Sequence, residues 1–227
     1  IAVRGCREEL VAACNADFGR RSRVETLAAD VMVTLDEIKY ARKNLRRWMR
    51  PQRRSVNLTF KPARGEIRYA PLGVVGVVAP WNYPFQLAVI PLVNAIAAGN
   101  RVMVKPSEFT PRVSALLEKM LSAVFSSDEV AVIQGDAAVG AAFTQLPFDH
   151  LLFTGSSAIA RHVMRAAADN LVPVTLELGG KNPVIAGGTA DLALVANRVV
   201  TGKLASSGQV CVSPDYVFVR KGMGEAF

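Results

Sequence analysis

Five short apolar runs between Pro71 and Leu178 leave this chain little choice of architecture. They are Val74-Val78, Val102-Val104, Val130-Ile133, Leu151-Phe153 and Val174-Leu178, all rich in β-branched or aliphatic residues. Helical stretches of ~10 to 15 residues separate them, which makes the pattern strand, helix, strand, repeated. Unbroken apolar runs suit strands buried on both faces, the condition of parallel strands covered by helices. Short right-handed crossovers then give an α/β fold, an open parallel Rossmann-like sheet with helices on both faces. Apolar residues make up 51% of the chain and aromatics only 7%, so the predicted core is aliphatic. Sheets of this kind bind ligands at the carboxyl ends of their strands, and the residues there become the candidates.

The flanks read differently. From Glu8 to Met49, Leu10, Val11 and Cys14, then Val24, Leu27, Ala28 and Val31, then Leu35, Ile38 and Leu45 recur at helical steps, and Pro51 ends the pattern. Residues 1–51 are therefore predicted to be helices that pack on the sheet domain. In 52–71, Ser55–Phe60 and Ile67–Ala70 alternate apolar and polar around Lys61–Glu66, which predicts a protruding β-hairpin. A lone hairpin is marginal in water, so this one is expected to dock on a second subunit. The net charge of +8 is concentrated between Arg42 and Arg54, with no base-reading motif attached. It reads as a solvated helix face leading into a linker, and no nucleic-acid partner is expected. Cys6, Cys14 and Cys211 are too few for a disulfide framework or a zinc cluster, so no metal and a reducing, cytoplasmic setting are expected. No run reaches ~18 apolar residues, which argues against a membrane span.

The candidate chemistry lies on loops. Cys211 follows Ser206-Ser207-Gly208 and precedes Pro214, so its thiol sits in a tight loop. A lone cysteine is ordinarily a small packing residue, whereas a reactive one needs exposure and nearby donors. Asn82, between Pro80 and Pro84 beside Trp81, is either a turn residue or a rigidly held neutral donor for an oxyanion. Lys105 and Glu108 follow the second strand and suit ribose hydroxyls, or form a surface ion pair. Gly155 and Ser156 open a helix, an anion-binding arrangement, although no G-x-G-x-x-G fingerprint follows any strand. Glu177 interrupts the apolar fifth strand; it is either a partly buried general base or the partner of Lys181. His150 and His162 have no cysteine or carboxylate cluster around them, and Cys6 and Cys14 read as packing residues on a helix face.

Taken together, Ala79-Pro80-Trp81-Asn82-Tyr83-Pro84, Ala98-Gly99-Asn100, Lys105-Pro106-Ser107-Glu108, Phe153-Thr154-Gly155-Ser156, Leu176-Glu177-Leu178-Gly179-Gly180-Lys181 and Gly208-Gln209-Val210-Cys211 resemble the aldehyde dehydrogenase superfamily in order and spacing. The run Cys211-Val212-Ser213-Pro214-Asp215-Tyr216, with Pro91 after the asparagine loop, is similar to the branch acting on fatty, benzylic or coniferyl-type aldehydes.

The resemblance implies NAD(P)-dependent oxidation of an aldehyde to a carboxylic acid through a thioester. Cys211 would be the nucleophile, Asn82 an oxyanion donor and Glu177 the base that activates hydrolytic water. Lys105 and Glu108 would hold the adenosine ribose of NAD, with NADP possible; Trp81, Gly155 and Ser156 would lie by the pyrophosphate, and Leu178 by the nicotinamide. It also implies an NAD-binding domain over 72–178, the start of a catalytic domain over 179–227, a homodimer or homotetramer formed through the hairpin, and about half of the family's length beyond Phe227. The alternatives are a CoA-acylating relative, against which Glu177 argues, and an inactive nucleotide-binding fragment. Two departures stand out: Ala160 where the family carries a second glycine, and Ser206-Ser207 where many members carry asparagine.

Overall fold

The computed structural model describes all 227 residues. Its N-terminal region comprises α1 (Ala2–Gly5), α2 (Arg7–Phe18) and α3 (Arg23–Glu25), a π-helical stretch over Thr26–Met32, and α4 (Val33–Trp48). β1 (Gln52–Arg54) and β2 (Gly65–Ile67) follow as an isolated antiparallel pair. The sheet domain then alternates β3 (Val74–Val78), α5 (Gln86–Ala97), β4 (Arg101–Lys105), α6 (Pro111–Ser122), β5 (Val130–Val132), α7 (Ala137–Thr144), β6 (His150–Gly155), α8 (Ser157–Asp169) and β7 (Val174–Leu178). Last come β8 (Asn182–Ile185), α9 (Leu192–Leu204) and β9 (Pro214–Phe218).

All five predicted sheet strands form, in the order β5-β4-β3-β6-β7, and every pairing is parallel. The reversal of direction across β3 puts a crevice at the carboxyl ends of β3 and β6, where such sheets bind ligands. Alternation along the strands divides the core in two. Val75, Val77, Val102, Val104 and Val130 face Leu10, Cys14, Phe85, Val89, Leu92, Val113 and Leu117, so α2, α5 and α6 cover one face. Phe143, Phe148, Ala160, Val163 and Ala167 join Leu151 and Phe153 against Val74, Val78 and Met103 on the other. Cys6 and Cys14 are buried packing residues of the first layer.

Side-chain hydrogen bonds lock the layers together. Asn100 Oδ1 accepts from the Leu72 and Gly73 amides at 2.7 and 3.0 Å while its Nδ2 donates to the Ala95 carbonyl, which ties the end of α5 to the start of β3. Asp17, at the end of α2, accepts from the Arg112 and Val113 amides and so caps α6, whose own Thr110 makes no capping bond.

The ribbon corrects one expectation. Its strands are Gln52–Arg54 and Gly65–Ile67, whereas Ser55–Phe60 forms the connection and closes in a 3-10 turn over Leu58–Phe60. Asn57 decides this: its side chain accepts from the Thr59 amide, a local bond that competes with a strand ladder. A two-residue alternation carries no such information. The basic run behaves as expected, with Arg42, Lys43, Arg46, Arg47, Arg50, Arg53 and Arg54 exposed and none in an ion pair. No helix is long and apolar enough to cross a membrane.

Candidate active site

The strand registers bring most of the candidates to one edge of the sheet. Val78 pairs with both Lys105 and Phe153, and Gly155 pairs with Leu178, so the segments that leave β3, β4, β6 and β7 share the carboxyl end. Trp81 and Asn82 follow β3, Lys105 ends β4 and Glu108 lies in the loop after it, Gly155 closes β6 with Ser156 next, and Glu177 and Leu178 close β7.

Lys105 is no surface residue. Its side chain is 3% exposed, and Nζ donates to the Pro106 carbonyl at 2.9 Å and to Glu108 Oε2 at 3.4 Å. An ammonium has three donors and a carboxylate two acceptor oxygens, so the buried lysine and the partly exposed glutamate keep one N–H and one oxygen for a further ligand. That is the donor set a vicinal diol requires. Gly155 is needed for packing, because a Cβ there would come within 2.5 Å of the Phe153 ring. Ser156 caps α8 by accepting from the Ile159 amide at 3.3 Å. The amides of Ser157 and Ala158 make no hydrogen bond and stand at the positive end of the helix dipole.

The cysteine loop is held from two sides. Cys211 is exposed, while Cys6 and Cys14 are buried and burial pushes both thiols up, Cys14 to about 12. Asn82 Nδ2 donates to the Gln209 carbonyl at 2.9 Å, which brings the asparagine loop against the cysteine loop. The amide's second N–H has no partner in the chain. On the other side, Asn182 Nδ2 donates to the Cys211 carbonyl at 2.7 Å and to the Ser213 carbonyl at 3.0 Å. Before the thiol, Ser206, Ser207 and Gly208 have φ of 46°, 55° and 80°. The left-handed region costs an ordinary residue about 1–2 kcal/mol, and asparagine visits it more readily than serine. The serine pair is thus strained where asparagine would fit.

Glu177 departs from expectation. It lies on β7, which is the edge strand, and is exposed, so the burial anticipated from its apolar neighbours is not present. Nor does it pair with Lys181, whose Nζ lies 3.5 Å from Asp215 Oδ2 instead. Lys181 takes a left-handed turn (φ 49°) after Gly179-Gly180, which directs its side chain to β9. The Glu177 side chain makes no hydrogen bond or ion pair, and nothing joins it to the cysteine loop except the chain itself through Asn182.

The sequence profile of the aldehyde dehydrogenase family matches residues 2–227. The chain belongs to this family. It is 50% identical over 221 residues to the coniferyl aldehyde dehydrogenase of Pseudomonas sp. (strain HR199 / DSM 7063), an alignment that covers 97% of this chain and 46% of that protein. A probable coniferyl aldehyde dehydrogenase of Pseudomonas aeruginosa is 51% identical over the same shares of each chain. Among solved structures, the substrate-bound state of Staphylococcus aureus AldH superposes with a TM-score of 0.94 at 38% identity, covering 99% of this chain and 49% of that one. An NAD+ complex of a Bacillus cereus aldehyde dehydrogenase gives 0.87 at 29% identity over 99% and 45%. The chain thus spans about half the length of the curated relatives it matches.

Two parts of the candidate site carry little signal in the sequence. Asn182 stands next to the Gly179-Gly180-Lys181 run and holds Cys211 and Ser213, and a polar side chain opening an apolar strand was its only mark. Arg21, buried, reaches Asn82 from the N-terminal helices and was lost among the surrounding charges.

Proposed function

We propose that this chain carries the nucleophile and the dinucleotide site of an NAD(P)-dependent aldehyde dehydrogenase that oxidises an aromatic, coniferyl-type or fatty aldehyde to its acid. The observation that carries the reading is the contact between the Asn82 amide and the Gln209 carbonyl, which puts a neutral donor with a spare N–H beside an exposed cysteine.

In this reading the Cys211 thiolate attacks the aldehyde carbon, and the carbonyl oxygen becomes an alkoxide. The free N–H of Asn82, with the Cys211 backbone amide, receives that charge. Preorganised donors of this kind act on charge only as it develops, and removing one typically costs about 10²–10³ in kcat. Asn182 holds the Cys211 carbonyl at 2.7 Å and so fixes the peptide plane behind the nucleophile. Only after the alkoxide carbon has given up its hydride, breaking the C–H bond as the C=O re-forms, is the group on sulfur an acyl group, held as a thioester. Glu177, exposed and unpaired, takes a proton from the water that attacks it, and the thiolate leaves.

The chain's donors fit a dinucleotide. Lys105 Nζ and the free oxygen of Glu108 would hold the adenosine ribose, and the unbonded amides of Ser157 and Ala158, beside Gly155, Ser156 and Trp81, would face the pyrophosphate, with Leu178 at the nicotinamide. Bound there, NAD would supply the hydride acceptor that no side chain provides. The negative charge of Glu108 opposes a 2′-phosphate and favours NAD over NADP. The ribbon of β1 and β2, with no third strand, fits a homo-oligomer contact.

The test is absorbance of the reduced nicotinamide with coniferyl aldehyde, benzaldehyde and a medium-chain aldehyde, each with and without CoA, on the whole protein. NADH formation independent of CoA is the expected result. Turnover only with CoA would move the assignment to the acylating relatives, and none with any aldehyde would remove it.

A further inference from the structure

Arg21 and Asp30 form an ion pair that the chemistry above leaves unused. Nη2 lies 2.9 Å from Oδ2, and the two side chains are 2% and 0% exposed. Desolvating two charges costs several kcal/mol per ion, and their attraction offsets this only when their other hydrogen-bonding sites are also satisfied. Where those further bonds go shows what the pair holds.

Both of the further bonds that form lead to the asparagine loop, and Arg21 Nε, also buried, has no partner. Arg21 Nη1 donates to the backbone carbonyl of Asn82 at 2.6 Å, and Asp30 Oδ1 accepts from the Gln86 amide at 3.0 Å. The pair therefore grips the segment between β3 and α5 at two points four residues apart. The guanidinium also lies 4.8 Å from the ring centroids of Phe18 and of Tyr83, and Phe18 meets Trp81 at 6.4 Å. Asp30 projects from the π-helical stretch Thr26–Met32, a rare geometry that recurs at functional sites. Burial pushes the Asp30 carboxyl up, and Arg21 with the Gln86 and Phe85 amides pulls it back. Both of its oxygens act as acceptors, as a carboxylate's do. Asn82 is thus a bridge: its carbonyl is tied to the N-terminal helices and its side chain to the loop of the nucleophile.

We propose that Arg21 and Asp30 are positioning residues for the oxyanion donor, fixing the Asn82 backbone so that its side-chain amide stays aimed at the cysteine loop. This rests on the reading of Asn82 as that donor. A lysine at position 21 keeps a charge for Asp30 but lacks the fork that spans Asp30 and the Asn82 carbonyl. A misplacement of about 1 Å at a reacting group can cost on the order of 10²-fold in rate.

The experiment is a kinetic cycle on the whole protein with Arg21→Lys, Asn82→Ala and the double variant, each checked for a wild-type-like melting transition. Arg21→Lys is expected to lower kcat by about 10- to 100-fold with KM for NAD unchanged, and Asn82→Ala by about 10²- to 10³-fold. The double variant should fall no further than Asn82→Ala, because Arg21 acts only through that amide. Multiplying factors in the double variant, or an unchanged kcat in Arg21→Lys, would overturn the inference. An unchanged kcat in Asn82→Ala would instead remove the oxyanion role itself. Should Arg21→Lys not fold, the near-isosteric Asp30→Asn takes its place in the same cycle, with faster exchange of the Gln86 amide as the expected structural sign.

Discussion

Gly155→Ala tests whether a glycine at the candidate cofactor edge is there for the ligand or for the core. A Cβ on Gly155 would stand 2.5, 3.0 and 3.4 Å from Cζ, Cε1 and Cε2 of Phe153. Carbon atoms in contact ordinarily lie ~3.5–4.0 Å apart, so the ring would have to withdraw by about 1 Å. Phe153 is 5% exposed and belongs to the layer with Leu151, Ala160 and Val163, which leaves it no free direction. Overpacking of this kind costs about 1–3 kcal/mol, and that is the expected loss in denaturant unfolding. Phe153→Leu removes the obstructing end of the ring. In the Phe153→Leu/Gly155→Ala double variant the two losses should therefore add to less than their sum, by about 1 kcal/mol or more. A Gly155→Ala protein as stable as the parent, or strict additivity in the double variant, would refute the packing argument and leave ligand contact as the reason for the glycine.

Other consequences follow from the same geometry. Asp17→Ala removes the only cap of α6 and should cost about 0.5–2 kcal/mol in denaturant unfolding; an unchanged midpoint would show that Thr110 or water replaces it. Iodoacetamide on the native protein at mildly alkaline pH should add one group, at Cys211, because burial raises the Cys6 and Cys14 thiols; adducts on either of those two would contradict the burial. Burial holds the His150 imidazole below its ordinary value of 6.5, so the folded protein binds this proton less readily than the unfolded chain. Its contribution to stability is complete above that value and is lost as pH falls through it toward the folded value. His150→Gln should flatten this part of the stability–pH curve, and an unaltered curve would count against the assignment.

The sequence exposed its periodic parts well. The runs from Val74 to Phe153 were continuous because their strands lie largely covered in the sheet, and that burial is visible without a structure. Local order needed more. Ser55–Phe60 alternates like a strand, yet the Asn57 side chain bonds the Thr59 amide and closes a turn. Glu177 was expected to be buried from its neighbours in sequence, and its exposure follows from the position of β7 at the sheet edge, which only strand order reveals. Long-range polar contacts were the least legible. Lys181 and Asp215 pair across β8 and β9, Asn182 reaches Cys211 over 29 positions, and Arg21 reaches Asn82 over 61. A single charge carries no pattern that distinguishes a buried brace from a solvated residue, so Arg21, in the turn between α2 and α3, and Asp30 read like the exposed charges of α4.

Catalysis in the proposed reaction requires Cys211 as the nucleophile. The direct measurement is the intact mass and peptide map of the whole protein, quenched with acid during turnover of NAD and coniferyl aldehyde, beside a Cys211→Ala control. An acyl group confined to the Cys211 peptide and missing from the control is the predicted result. Turnover without an adduct on Cys211, or an adduct that persists in Cys211→Ala, would contradict it.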